Sequence, residues 1–200
     1  MKHINSLSIA FLSVSLLALA TGCTEMFPIS VNPTGLPPGE KAPMHAVLML
    51  NKDLADYQYH FHAKVYPLGP PLLDYVRHVA GASFQQVDEA PSAEKAFANS
   101  SADIVLIPRP VKAALSFKGT GLAPSDMVTF TLVMEWTAKN RASQTTVWLK
   151  TITADASEVQ GSMSSGKEHQ HILMQKLFDD LSIKAREAIQ KAPELRGNLH

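Results

Sequence analysis

The run from Met127 to Thr137 constrains the fold more than any other stretch of this chain. Val128, Phe130, Leu132, Met134 and Trp136 alternate with Thr129, Thr131, Glu135 and Thr137, and Val133 is the one apolar residue on the polar side. A strand points successive side chains to opposite faces, so one face here is made for a core and the other for water. A polar turn, Lys139 to Ser143, leads to a second β-rich run, Thr145 to Thr153. The pair reads as an antiparallel hairpin.

Such a hairpin needs an apolar surface to lie against. The segment from about Lys167 to Lys191 supplies one. Met174, Phe178, Leu181, Ala185 and Ala188 recur at helical spacing, flanked by Leu173, Leu177 and Ile189, and Pro193 stops the pattern. Ser165 and Glu168 have the spacing of a capping box at its start.

Earlier elements are shorter. His45 to Leu50 is an apolar run of strand type. From Asp56 to Tyr66 the pattern alternates, with Tyr57, Tyr59, Phe61, Ala63 and Val65 on one face and Gln58, His60, His62 and Lys64 on the other, which predicts one half-buried strand. Pro71 to about Val79 has helical spacing and ends near Gly81. Ser83 to Val87 reads as a short strand, and Ser92 caps a short helix reaching Asn99. Asp103 to Ile107 is apolar, and Pro108 and Pro110 place its continuation through Leu115 and Phe117 at a sheet edge. Strands and helices interspersed in this way predict an α+β fold: a two-layer sandwich, with a mostly antiparallel sheet, helices on one face and a long C-terminal amphipathic helix.

The N-terminus is of a different kind. Lys2 and His3 precede an apolar run from Ile9 to Ala20, too short for a permanent membrane span. Small residues follow at Thr21 and Gly22, and then comes Cys23, the only cysteine in the chain. Residues 1–22 therefore read as a removable signal peptide. The sequence Leu19-Ala20-Thr21-Gly22-Cys23 resembles the lipobox of bacterial lipoproteins. That resemblance implies acylation of Cys23, which becomes the mature N-terminus and anchors the protein to a membrane. Thr24 rather than Asp follows Cys23, which by the same resemblance implies delivery to the outer membrane, facing the periplasm. Residues 23–44 contain Pro28, Pro33, Pro37, Pro38 and Pro43 and are expected to form an irregular tether holding the domain away from the lipid. The folded domain is expected at 45–192, with a tail at 193–200.

Composition narrows the function by exclusion. Removal of the signal leaves 178 residues, enough for one core. Lys and Arg number 18 and so do Asp and Glu, so no basic excess points to nucleic acid. With Cys23 acylated, no thiol remains for disulfides, thiolate catalysis or zinc. His60 and His62 are the pair best spaced to share a metal on a strand, but no third ligand is signposted. His169 and His171 diverge on a helix and are expected at the surface. Asp179 and Asp180, also adjacent on a helix, are expected to be solvated. Neither a nucleophile elbow nor a phosphate-binding glycine loop is present, and Gly119-Thr120-Gly121 reads as a turn. Tyr57, Tyr59, Phe61, Tyr66, Trp136 and Trp148 are expected in the core, the alternative being an apolar groove for a lipid or partner.

The order of tether, strand, helix, long hairpin and closing helix is similar to small outer-membrane lipoproteins of the YajG type and, more distantly, to the lipoprotein subunit of the lipopolysaccharide-transport translocon. Met127 to Ile189 carries the likeness, through paired strands rich in Val, Thr and Trp, a Ser/Gly loop, and a helix with Leu177, Phe178 and Ile189. Thr24 to Pro28 departs from the aromatic-rich start of the translocon subunit. The resemblance implies a binding or scaffolding part of an envelope complex with a protein partner, no catalysis and no cofactor. Two other readings remain open. A carrier of a lipid or other apolar ligand requires an enclosed apolar cavity. A hydrolase or metal-dependent enzyme requires His60 and His62 to converge with a carboxylate.

Overall fold

The structure, a computed structural model, describes residues 25–26, 29, 31–32, 35–62, 64–119, 127–159 and 166–196. The elements in chain order are β1 (Glu25–Met26), β2 (Ala42–Met49), α1 (Lys52–Ala55), β3 (Gln58–Phe61), β4 (Lys64–Pro67), α2 (Gly69–Ser83), β5 (Phe84–Ala90), α3 (Ala93–Ala98), β6 (Ile104–Lys118), β7 (Met127–Asn140), β8 (Thr146–Val159) and α4 (Gly166–Gln190), followed by a 3-10 turn at Pro193–Leu195. They form an α+β sandwich built on a five-stranded sheet of order β5-β2-β6-β7-β8, with a small sheet of order β1-β4-β3 beside it.

The hairpin read from the sequence is the long half of the main sheet. β7 pairs antiparallel with β6 and with β8 from Met127 to the 139–140 end. Phe130, Leu132, Met134, Trp136 and Ala138 are fully buried, as the alternation requires. The turn closes with Asn140 Oδ1 accepting from the backbone N–H groups of Ala142 (2.9 Å) and Ser143 (3.0 Å). α4 packs across β8 and β7 and against α2. Its buried residues are those of the predicted stripe except Ala188, which is half-buried, and Ser182 and Arg186 join them. Ser182 bonds back to Phe178 O at 2.7 Å, which satisfies its hydroxyl within the helix.

The other half of the sheet is parallel. β2 lies between β5 and β6 and runs parallel to both. The chain crosses from β2 to β5 by way of α2 and back from β5 to β6 by way of α3. Two crossovers of the same hand in opposite directions place their helices on opposite faces. Accordingly α2 buries Leu72, Tyr75, Val76 and Val79 with Ala46, Leu48, Ile104 and Leu106 in the main core, whereas Ala96 of α3 joins Val47, Met49, Ala90, Ala102 and Val105 on the other side. Helices on one face therefore holds for α2 and α4, and α3 is the exception.

Two further expectations are corrected, and the edge position of β6 beyond its prolines holds. The stretch from Asp56 to Tyr66 is not one strand. It folds back at His62 (φ 52°), so that Phe61 pairs with Lys64 and Tyr59 with Tyr66. Cross-strand partners share a face, so Tyr66 and not Val65 lies with Tyr59, and the turn at His62 carries no Gly, Asn or Pro to mark the reversal. β6 is continuous for 15 residues, with a bulge between Pro110 and Lys112. Its pairing with β2 ends at Leu106, so Pro108 and Pro110 stand where no second neighbour needs an N–H. The proline-rich segment, finally, lies on the domain. β1 pairs with β4, Ile29, Val31 and Leu36 pack against the core, Asn32 exchanges two hydrogen bonds with Gln175 (3.0 and 2.7 Å), and Arg186 Nη2 donates to Gly39 O (3.1 Å). Apolar side chains between the prolines outweigh the missing donors, and β2 begins at Ala42, ahead of the expected start at His45.

Two positions test this packing. Gly69 opens α2 with its N–H on Tyr57 O (2.9 Å), and a Cβ there would stand 1.8 Å from Ala55 O. Gly69→Ala is expected to lower unfolding free energy by about 1–3 kcal/mol in denaturant titration. Trp136 Nε1 donates to Tyr75 Oη at 3.1 Å in a site closed to solvent. Burial pushes the Tyr75 phenol well above its ordinary range, so it stays neutral. Tyr75→Phe leaves the indole N–H unsatisfied and is expected to cost about 1–3 kcal/mol by the same measurement.

Candidate functional site

Cys23, the residue that carries the sequence-based reading, lies outside the described residues, as does Ser165 of the expected capping box. The histidine pair is described and does not form a site. His60 is exposed on β3, and His62 is exposed in the turn that follows. Among the described residues no three His, Cys, Asp or Glu side chains are grouped to hold a metal. Asp179 and Asp180 are half-buried, bonded to Gln175 and Lys184 respectively.

The aromatic residues are core or rest on it. Trp136, Tyr66 and Trp148 are buried, and Tyr57, Tyr59 and Phe61 are half-buried against them. Tyr59 meets Phe130 edge-on at 5.2 Å, and its hydroxyl accepts a hydrogen bond from Leu115 N–H at 2.9 Å. That bond caps the free edge of β6 and ties the small sheet to the large one. Between α2 and α4 a pocket of about 10 Å3 is lined by Val31, Pro71, Tyr75, Phe178 and Ser182. It has room for one water and none for an acyl chain. An open groove of about 500 Å3 runs between β8 and the end of α4, past Trp148, Leu149, Lys150, Lys184 and Glu187. Its wall mixes charged and apolar groups.

The densest polar cluster was not legible in the sequence. It joins the start of β2, the middle of β5 and the loop before β6. His45 Nε2 faces Asp88 Oδ2 (2.9 Å), and His45 Nδ1 faces Ser101 O (2.9 Å). Asn99 Nδ2 donates to the same Asp88 oxygen (2.8 Å), and the His45 N–H donates to Asp103 Oδ2 (2.8 Å). The Asn99 amide and the His45 ring hold the Asp88 carboxyl below its usual range. Sequence separations of 43 and 58 residues hide these pairs from any local pattern. The cluster has a His and a Ser but no nucleophile–base geometry. Both ring nitrogens face acceptors, and Ser101 Oγ donates to Asn99 Oδ1 (2.7 Å), not to the ring. It is a clasp that holds the loop to the sheet.

Among the described residues, no helix covers one face of the sheet where β6, β7 and β8 meet. Thr129, Thr131, Glu135 and Thr137 of β7 line it with Arg109 of β6 and Thr151, Thr153, Asp155 and Ser157 of β8. Cross-strand bonds join Arg109 to Glu135 (2.9 Å), Thr131 to Asp155 (2.5 Å) and Thr129 to Ser157 (2.8 Å).

No protein-family model matches this chain, and no curated protein does. Solved structures do. Protein XCC0632 from Xanthomonas campestris, a DUF330 protein, aligns over 83% of this chain and 93% of its own at 12% identity, with a TM-score of 0.51. A minor lipoprotein from Acinetobacter baumannii aligns over 76% of this chain and 92% of its own at 15% identity, TM-score 0.41. Lipoprotein GNA1162 from Neisseria meningitidis aligns over 62% and 89% at 10% identity, TM-score 0.33. The likeness to the Xanthomonas protein is one of fold, and proteins named as lipoproteins are among the other structural neighbours.

The clasp gives a pH prediction. Asp88 titrates lower folded than unfolded, so its contribution is present above about pH 3.9, the ordinary Asp value, and is lost as pH falls through the depressed one. Thermal melts between pH 6 and pH 2.5 are expected to fall more steeply for the wild type than for Asp88→Asn below about pH 4.

Proposed function

We propose that this protein is a lipid-anchored, non-catalytic lipoprotein of the bacterial envelope, held at the outer membrane and serving a cell-envelope assembly or transport complex as an accessory or scaffold part. The observation that carries this reading is Cys23 at the end of Leu19-Ala20-Thr21-Gly22. Three features of the domain support it. The polar cluster at His45 is a structural clasp. The pocket between α2 and α4 is too small for a lipid chain. The face of β6, β7 and β8 that no described helix covers sets Val133 and the exposed Leu149 among threonines and an arginine–glutamate pair, a mixed apolar and polar surface of the kind that protein partners cover.

Intact mass of the protein extracted from membranes tests the anchor. The expected mass is that of a chain beginning at Cys23 plus a diacylglyceryl group and an amide-linked acyl chain. Cys23→Ser is expected to abolish that increment and leave an unprocessed precursor. A mature chain with a free Cys23 thiol, or cut elsewhere, overturns the reading.

A further inference from the structure

We infer that one pole of the domain, where β6, β7 and β8 end beside β1, is the surface that sits against the lipid bilayer. The inference rests on acylation of Cys23. Exposed large apolar side chains gather at this pole. Met127 opens β7 and pairs with Val159, the last residue of β8, and with Lys118, the last of β6. Phe117 stands next to Lys118, its ring 5.6 Å from Phe61 of the small sheet. Ile172 lies one turn before Lys176, whose ammonium pairs with Glu158 near the end of β8. Met26 pairs with Val65 in the strand next to Phe61. Exposure is 61% at Met26, 47% at Val159, 39% at Phe117 and Met127 and 37% at Ile172. Of the eight exposed large hydrophobic residues among those described, these five share one end. Scattered apolar residues on a surface need no explanation, but a concentration does.

The chain itself names the occupant. Glu25 is fixed by pairing with Lys64, and β1 runs parallel to β4, so the chain upstream of it heads for the β3–β4 turn at the same pole. Two residues reach at most about 7 Å even when fully extended. In any conformation, then, an acyl group on Cys23 enters the bilayer within a few ångströms of the Met26 strand. A leash of some twenty residues would let the domain turn freely, whereas a two-residue connection presents one end of it. Among the described residues that end gathers five exposed apolar side chains, with Lys64 and Lys118 exposed beside them to meet lipid phosphates. The opposite end differs. Leu149 pairs with Thr137, ten residues along β7 from Met127, or about 33 Å away.

The test uses the acylated protein. Cys23 is the chain's only cysteine, so with its sulfur acylated a new cysteine takes a nitroxide label uniquely. Phe117→Cys, Met127→Cys and Leu149→Cys are purified from membranes, their acylation is checked by intact mass, and they are placed in vesicles of phosphatidylethanolamine and phosphatidylglycerol. The ratio of collisions with oxygen to collisions with a water-soluble nickel chelate is then read by electron paramagnetic resonance. It is expected to be higher by about an order of magnitude at 117 and 127 than at 149. Equal nickel access at all three sites overturns the inference and leaves the anchor standing. Shielding of 117 and 127 from both reagents also overturns it, since a protein then covers the pole. Absence of the acyl mass defeats the anchor itself.

Discussion

Three aromatic side chains from three elements meet at Tyr75, and the sandwich depends on that meeting. Tyr75 comes from α2, Trp136 from β7 and Phe178 from α4, with ring centroids 6.0 and 6.1 Å from Tyr75. The indole N–H finds the phenol oxygen, so two polar atoms are buried without loss. Around this point the two large helices share one sheet face. α2 covers the parallel half and α4 the antiparallel half, and the boundary between the halves runs along β6. Large rings at edge-to-face geometry fill such a junction better than aliphatic side chains, because they cover area with few rotatable bonds.

How much of this the sequence showed follows from the range of each interaction. The β7–β8 hairpin and α4 were legible because their signal is periodic and repeats over many residues within one element. Asn140, Ser92 and the prolines of α2 act on their immediate neighbours, and they too read correctly. What failed depended on partners far away in sequence. The fold-back at His62 reverses the phase of the second arm and has no Gly, Asn or Pro to announce it, so the alternation was read straight through. The return crossover puts α3 on the second face, a consequence of topology that no helix can announce. His45 looked like the first residue of an apolar strand, and its role becomes plain only when Asp88, Asn99 and Ser101 are brought to it. The proline count suggested a leash, while Ile29, Val31 and Leu36 between the prolines supplied the contacts that dock it.

A parallel half and an antiparallel half also divide the labour of the domain. In the parallel half β2 and the start of β6 are buried on both faces, and the His45 clasp closes one end. The antiparallel half is buried on one face only, and its other face sets Val133 and the exposed Leu149 among threonine, serine and paired charges across three strands. The cross-strand bonds stiffen that open face. Among the described residues, the clasp holds the loop before β6 to the sheet, and the pocket between α2 and α4 has room for one water.

The docked leader joins the two extremes of the polypeptide. Asn32 bonds to Gln175 and Gly39 to Arg186, across 143 and 147 residues. Neither contact can exist until the closing helix has been made. Contacts of such long separation form late in folding. Until then Asn32 and Gly39 have no place to dock, and the arrival of the last helix cinches them down. Synthesis order and chain topology thus act as a timer, with no separate switch required.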